Sequence, residues 1–325
     1  VAPDPLAGLD GLGAESSVKI AGDKVRIGGV EGGGVGVSAT FADGALAIDR
    51  LALADLAGAR VEGAGRIEGL GSAPAGRLDA TVVASRLEGL ATLVGELLPD
   101  TAFARWLAAA APALAPADLA ITFGATPDGD AVAATLALDG TAAGSTIKGS
   151  ASFAGKPAAW REGEVASSLA VTGGDATQML AQLGLPVLPV PIGPGSLSAS
   201  LSGHPDQGLA ATLSAEAAKT RLTIDGNLTL PEGGPVESGG RIAIESQDLG
   251  DIALAAGRVT PMLDGGLPAE LQSRFEGLGS GLAIRSAEGT LSGVTISGQG
   301  ALDFSGPRPL LTGELTLSEA DLSTM

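Results

Sequence analysis

The amino-acid sequence predicts a mainly β protein: an elongated antiparallel meander curled into a repeating β-groove, with one or two short helical insertions. Three observations predict it. Short runs alternate apolar bulk with small or polar residues, Gly-containing turn signals separate the runs, and one cadence of elements recurs along the chain.

The alternation is plain at residues 45–49 (ALAID), 221–225 (RLTID), 241–245 (RIAIE) and 313–317 (GELTL). A period of two places every second side chain on one face of a strand, so each run reads as a strand with one buried face. Turn signals fall at Asp43-Gly44, Asp128-Gly129, Asp139-Gly140, Asp225-Gly226 and Glu232-Gly233-Gly234. Residues 87–114 carry the strongest helical pattern, with Leu87, Leu90, Val94 and Leu97 at helical spacing and a break at Pro99. A second helix is expected over 175–183, where Asp175 can cap the start and Gly184 can end it. Residues 185–195 read as a Pro-rich loop.

Composition narrows the class. The 325 residues carry 19 Lys+Arg against 37 Asp+Glu, a formal charge of −18. The cations are scattered singly, which argues against a nucleic-acid partner, because phosphate neutralisation needs clustered Lys and Arg. A hydrophobic share of 45% excludes wholesale disorder. The 51 glycines have no three-residue period, which excludes collagen. With 2% aromatics, the core must be built from Ala, Leu, Val and Ile, which fits a thin, elongated protein better than a thick globule. Zero cysteines removes disulfides, thiol catalysis and thiolate metal sites. The uncharged stretch 176–203 is broken by Pro186, Pro189, Pro191 and Pro194, so it falls short of the ~20 continuous apolar residues of a spanning helix. The chain starts without a signal-peptide pattern and stops directly after a strand-like run, so it reads as a segment of something longer.

Four segments share one layout: a turn, a strand or two, a branched apolar residue in a Gly-containing strand, a Gly/Pro connection, and another alternating strand. Their anchors are Val61-Glu62-Gly63, Ile147-Lys148-Gly149, residues 222–226 and residues 294–298. The repeat units are placed at 20–94, 119–183, 196–257 and 275–325, the whole chain forming one array.

Residues 41–69 give a turn, two alternating strands and a Gly-flanked strand. Residues 76–94 then run from a strand into a helix, and 309–322 repeat that strand-then-helix-start cadence. This layout resembles the repeating unit of the AsmA-like proteins. The resemblance covers nearly the whole chain as a style of sequence, without a diagnostic motif. It implies a segment of a longer protein of a Gram-negative bacterium, anchored in the inner membrane and lying in the periplasm. The implied role is phospholipid transport and outer-membrane assembly through a β-groove. The implied partners are a phospholipid or other acyl-chain lipid and outer-membrane or inner-membrane assembly proteins. The family supplies no catalytic residues and no cofactor.

Elementary physics points the same way. A sheet with one apolar face must cover that face, and small Ala and Gly side chains permit curvature and leave space for a guest. The candidate lipid-groove residues are Leu46, Ile48, Leu222, Ile224, Leu228, Leu230, Ile242, Ile244, Leu315 and Leu317, expected to share one inner face. The same alternation also fits an ordinary filled sandwich core. A structural β-repeat protein, such as an adhesin or an autotransporter-like passenger stalk, is the competing class. Its repeats are usually shorter and richer in exposed Thr and Asn.

Catalytic constellations are weak. His204 is the single histidine, in a Gly-His-Pro turn, so no multi-histidine metal site or His-based triad can form within the chain. Ser16-Ser17-Val18-Lys19 matches an S-x-x-K pattern without its partner motifs. The glycines at 32–36 and 63–69 lack the following helix of a phosphate loop and read as turns or strand bends. No calcium loop is present. Trp106 and Trp160, the two tryptophans, are candidates for covering the groove mouth or meeting a membrane or partner surface. No enzymatic activity and no metal are expected.

Overall fold

The computed structural model describes residues 15–27, 30–69, 74–99, 101–258, 266–279, 281–303 and 310–318. It is mainly β: 17 strands in one antiparallel meander sheet that does not close on itself, with a few short helices. The chain forms two compact units. One comprises the described residues up to Ala143 together with Ser152–Pro157; the other comprises Gly144–Ala151 and the described residues from Ala158 onward.

In the first unit, β1 (Glu15–Ile27), β2 (Val30–Ala42), β3 (Ala45–Leu56), β4 (Ala59–Glu68), β5 (Ala75–Ala84), β6 (Ala117–Asp128) and β7 (Ala131–Ala142) pair each with the next. Two helices, α1 (Glu88–Leu97) and α2 (Ala102–Leu114), fill the β5–β6 connection and pack on each other. Thr101 caps α2, its Oγ1 accepting from the Ala104 N–H at 3.2 Å. Strand β8 (Ser145–Gly155) contributes to both units, and a short 3₁₀ turn (Pro157–Glu162) follows it.

The second unit continues with β9 (Glu164–Gly173), β10 (Gly195–His204), β11 (Gly208–Ala217), β12 (Thr220–Thr229), β13 (Glu237–Ser246), β14 (Ala269–Leu278), β15 (Gly281–Leu291), β16 (Val294–Asp303) and β17 (Leu310–Leu317), again each paired with the next. Helix α3 (Ala176–Gln182) joins β9 to β10, and α4 (Gly250–Ala255) joins β13 to β14. Asp175 caps α3, accepting from the Thr177 N–H at 3.0 Å. The four repeat anchors fall on β4, β8, β12 and β16, every fourth strand, and helices follow β5, β9 and β13. The helix start read at 319–322 lies outside the described residues.

The turns differ instructively from the dipeptides that announce them. Asp43-Gly44, Ala57-Gly58, Ala143-Gly144 and Ser292-Gly293 are two-residue turns, with φ of 51/72°, 54/98°, 46/83° and 49/81°. Positive φ at both positions matches the twist of the flanking strands. Asp139-Gly140 and Asp225-Gly226, read as turns, instead lie inside β7 and β12. There the glycines admit a neighbouring backbone: a Cβ on Gly140 would sit 2.1 Å from the Asp118 carbonyl oxygen, and one on Gly226 2.6 Å from that of Gly239.

Burial is densest at the helical end of each unit, although Ala45, Ile67, Ala125 and Val132 of the first unit and Leu209 of the second are buried towards the other end. In the first, Leu93 of α1 packs with Val30 and Leu56, and Leu53, Ala57 and Leu90 flank them. In the second, Ala176, Ile192 and Ala255 form a cluster that joins α3, the Pro-rich loop and α4 against Ala217 and Ala218. The α1 stripe is rotated from its expected position: Leu87, Ala91 and Leu93 are buried, while Leu97 is 64% exposed.

The α4 connection is tied by Asp248, whose carboxylate accepts from the Gly250 and Leu267 N–H groups, each at 2.9 Å. Those backbone donors, Gly250 first, hold its pKa below the usual carboxylate range, with the Lys219 charge helping. A depressed folded pKa means stability that is present above the unfolded value of about 3.9 and is lost as pH falls through the folded one. Melting temperature is therefore expected to fall more steeply between pH 5 and pH 2 in the wild type than in Asp248→Asn. Parallel thermal melts check this; identical slopes would remove Asp248 from the acid response.

Candidate functional site

Antiparallel register decides which side chains share a face, because directly opposed residues point the same way. In the second unit Leu222, Ile244, Leu271, Gly289, Ile296 and Leu317 oppose one another in succession, forming one row across β12 to β17. The adjacent row runs through Leu213, Ile224, Ile242, Ser273, Ala287, Gly298 and Leu315. Leu228 joins the same face by alternation within β12 and opposes Leu209. An irregularity between Ile284 and Ala287 keeps β15 in step with this face.

Leu46 and Ile48 belong to the first unit. Leu46 lies between Phe41 and Ile67, and Ile48 between Ala39 and Gly65. A register shift at Asp49-Arg50 then returns Leu51 and Leu53 to the same face, so β3 presents apolar residues along its whole length. Leu230 stands apart. It lies one residue past β12, where its N–H donates to the Pro205 carbonyl at 2.7 Å, so strand alternation does not fix its side chain.

These apolar rows are only half covered. Leu46, Ile48, Leu222, Ile224, Leu228, Ile242 and Ile244 are all half-buried, and Leu315 and Leu317 on β17 are 67% and 48% exposed. The helical end contrasts sharply. There Leu56, Ala59, Ala84, Ala117 and Ala142 form one row of the first unit that is at most 4% exposed. Each unit thus has a sealed helical end and a run of aliphatic side chains along the strands that protein atoms do not fully cover.

The opposite face is polar. Arg60–Glu62, Arg66–Glu68 and Arg77–Asp79 pair along their own strands at 2.6–2.8 Å, and Arg221–Glu216 and Arg285–Glu276 pair at 2.5 and 2.8 Å. The Arg77 guanidinium, then the Thr122 hydroxyl, hold the Asp79 pKa below the usual carboxylate range. All these pairs are exposed, and solvent screening leaves such surface pairs little net stabilisation. Hydroxyls pair similarly, Ser200 with Thr212 and Ser150 with Ser168, each at 2.7 Å. Concavities of 740 and 980 Å³ in the second unit are lined mainly by this polar side. Apart from Ser273 and Gly289, their lining residues lie outside the apolar rows described above.

Other sequence candidates resolve simply. His204 ends β10, its carbonyl accepting from the Gln207 N–H at 3.1 Å. Ser16 and Lys19 lie three apart on β1, hence on opposite faces. The glycines at 32–36 lie in β2 and those at 63 and 65 in β4. Trp106 on α2 is 37% exposed, tilted against Phe103 at 5.7 Å. Trp160, in the 3₁₀ turn, is 42% exposed and carries the Arg161 guanidinium 4.6 Å from its ring centre. Among the described residues no three His, Asp or Glu side chains gather to hold a metal ion, and no helix is long and apolar enough to cross a membrane.

No family model, curated protein or solved structure matches the chain.

Proposed function

We propose that this chain is a periplasmic, AsmA-like segment whose apolar sheet faces shield lipid acyl chains in phospholipid transport and outer-membrane assembly. The observation that carries the reading is the half-covered state of the aliphatic rows beside sealed helical ends. Each acyl methylene moved from water onto such a surface gains about 0.8 kcal/mol. A diacyl lipid is therefore held by area alone. The strand-then-helix cadence supports the family resemblance, and helices after β5, β9 and β13 give it a four-strand rhythm.

Lipid extraction and native mass spectrometry of purified material test the proposal. Diacyl lipids are expected to co-purify; a lipid-free preparation that also fails to take up lipid from vesicles sinks it. Since shielding by area needs no titrating group, His204→Ala is expected to leave bound-lipid content unchanged. Loss of lipid in a folded His204→Ala protein would reopen a catalytic reading.

A further inference from the structure

On the polar face of the second unit, Arg241 of β13 and Arg274 of β14 are directly opposed in register. Like charges facing each other on neighbouring strands are destabilising. Among the described residues neither guanidinium has an ion pair or a side-chain hydrogen bond, whereas Arg221 and Arg285 on the same face are both paired. Arg66 and Arg77 are opposed in the same way on β4 and β5, but each is ion-paired along its own strand; Arg241 and Arg274 are opposed and have no ion pair. Both line the 980 Å³ concavity, together with Thr223, Ser286, Thr290 and Thr295. That volume is at the upper end of the ~300–1,000 Å³ typical of small-molecule sites.

We propose that this concavity binds a phosphate group, as the free anion or as a phosphate monoester. Two guanidinium forks match the oxygens of a phosphate, and charge-assisted bonds of this kind are the strong ones. The surrounding hydroxyls supply further donors. Asp225, directly opposite Arg241 on β12, rims the same concavity together with Glu270 and Glu288. They oppose the anion, so the site selects a ligand that engages both arginines over one that meets a single charge. Successive side chains flip faces, so Arg241 points away from the face that carries Ile242 and Ile244. The two guanidinium groups therefore lie on the face opposite the apolar rows, and the proposal does not rest on the acyl-chain reading.

Calorimetric titration of the full chain at constant ionic strength tests it, in one arm with inorganic phosphate and in the other with dihexanoyl phosphatidic acid below its micelle concentration. Saturable binding is expected, weakened about tenfold or more by Arg241→Gln or Arg274→Gln, the loss appropriate to a charge-assisted hydrogen bond. Binding should tighten in Asp225→Asn and stay unchanged in Arg221→Gln. Equal affinity in the two arms identifies free phosphate as sufficient; a lipid arm at least tenfold tighter identifies a phosphorylated headgroup. Phosphate-dependent shifts of arginine Nε resonances in the wild type provide a readout that needs no variant. Absence of saturable binding in both arms, or binding retained by the Arg241→Gln/Arg274→Gln double variant, overturns the proposal.

Discussion

Gly76→Val is expected to destabilise the first unit by roughly 2–6 kcal/mol, the sum of a backbone and a packing penalty. Gly76 lies near the start of β5 at φ +145°, and a Cβ there would stand 1.9 Å from the Arg66 carbonyl oxygen and 2.9 Å from the Ile67 Cα. Neither neighbour can rotate away, because both are backbone of β4, held in register from Ala59↔Ala84 to Glu68↔Ala75. Gly44→Ala separates the two penalties. Gly44 has φ +72° but meets nothing within 4 Å, so only the conformational cost of about 1–2 kcal/mol remains. Urea titration followed by hydrogen exchange at β4 and β5 measures both. The chain has two units, so a single global midpoint would mix them. A Gly76→Val protein within about 0.5 kcal/mol of wild type, the range of inert surface changes, would mean that β4 and β5 are not held as described.

The same glycine chemistry explains what the sequence made legible and what it concealed. Alternation at 45–49, 221–225, 241–245 and 313–317 marks strands because a period of two has a single structural meaning when it is sustained. Turn chemistry was less reliable. Asp-Gly is a strong hairpin signal, yet at Asp139-Gly140 and Asp225-Gly226 the glycine serves close backbone approach inside a strand. Conversely, Ala57-Gly58 and Ala143-Gly144 are tight turns in which an ordinary alanine takes positive φ. In an Ala- and Gly-rich chain such pairs are too common to signal anything.

Helix α4 was invisible for a related reason. Its six residues are too few to show a 3.6-residue period, and its start is fixed by the Asp248 carboxylate, which reaches across the connection to Leu267. The candidate face was legible one strand at a time. Which strand residues oppose one another is a property of register, which local sequence does not encode. For that reason Leu222, Ile244, Leu271 and Leu317 come together as a row, and Arg241 meets Arg274, only in three dimensions. Leu230 shows the limit from the other side: it follows the alternation of β12 in sequence but falls beyond the last paired residue.

A carboxylate placed on an apolar row distinguishes a half-covered face from a filled core, and the second unit contains both environments. Ile244 is half-buried between Leu222 and Leu271, whereas Leu209, on the same face, is 3% exposed beside Leu228. Burying an unpaired charge costs several kcal/mol even after relaxation, so Leu209→Asp is expected to unfold the unit. At Ile244 the new carboxylate can turn to water, so Ile244→Asp should retain its far-UV circular dichroism and lose only about 1–2 kcal/mol of apolar contact. Its bound lipid should nevertheless fall severalfold, because an acyl chain lying across the row would have to desolvate that charge. Leu230→Asp, in the loop beyond β12, is expected to alter lipid content less than Ile244→Asp while preserving the fold. Thermal melts and extracted lipid from the three variants decide the matter. If Ile244→Asp and Leu209→Asp both unfold and the wild type carries no lipid, the aliphatic rows are an ordinary core. If Ile244→Asp folds, sheds lipid and melts within a few degrees of wild type, the uncovered rows are the binding surface.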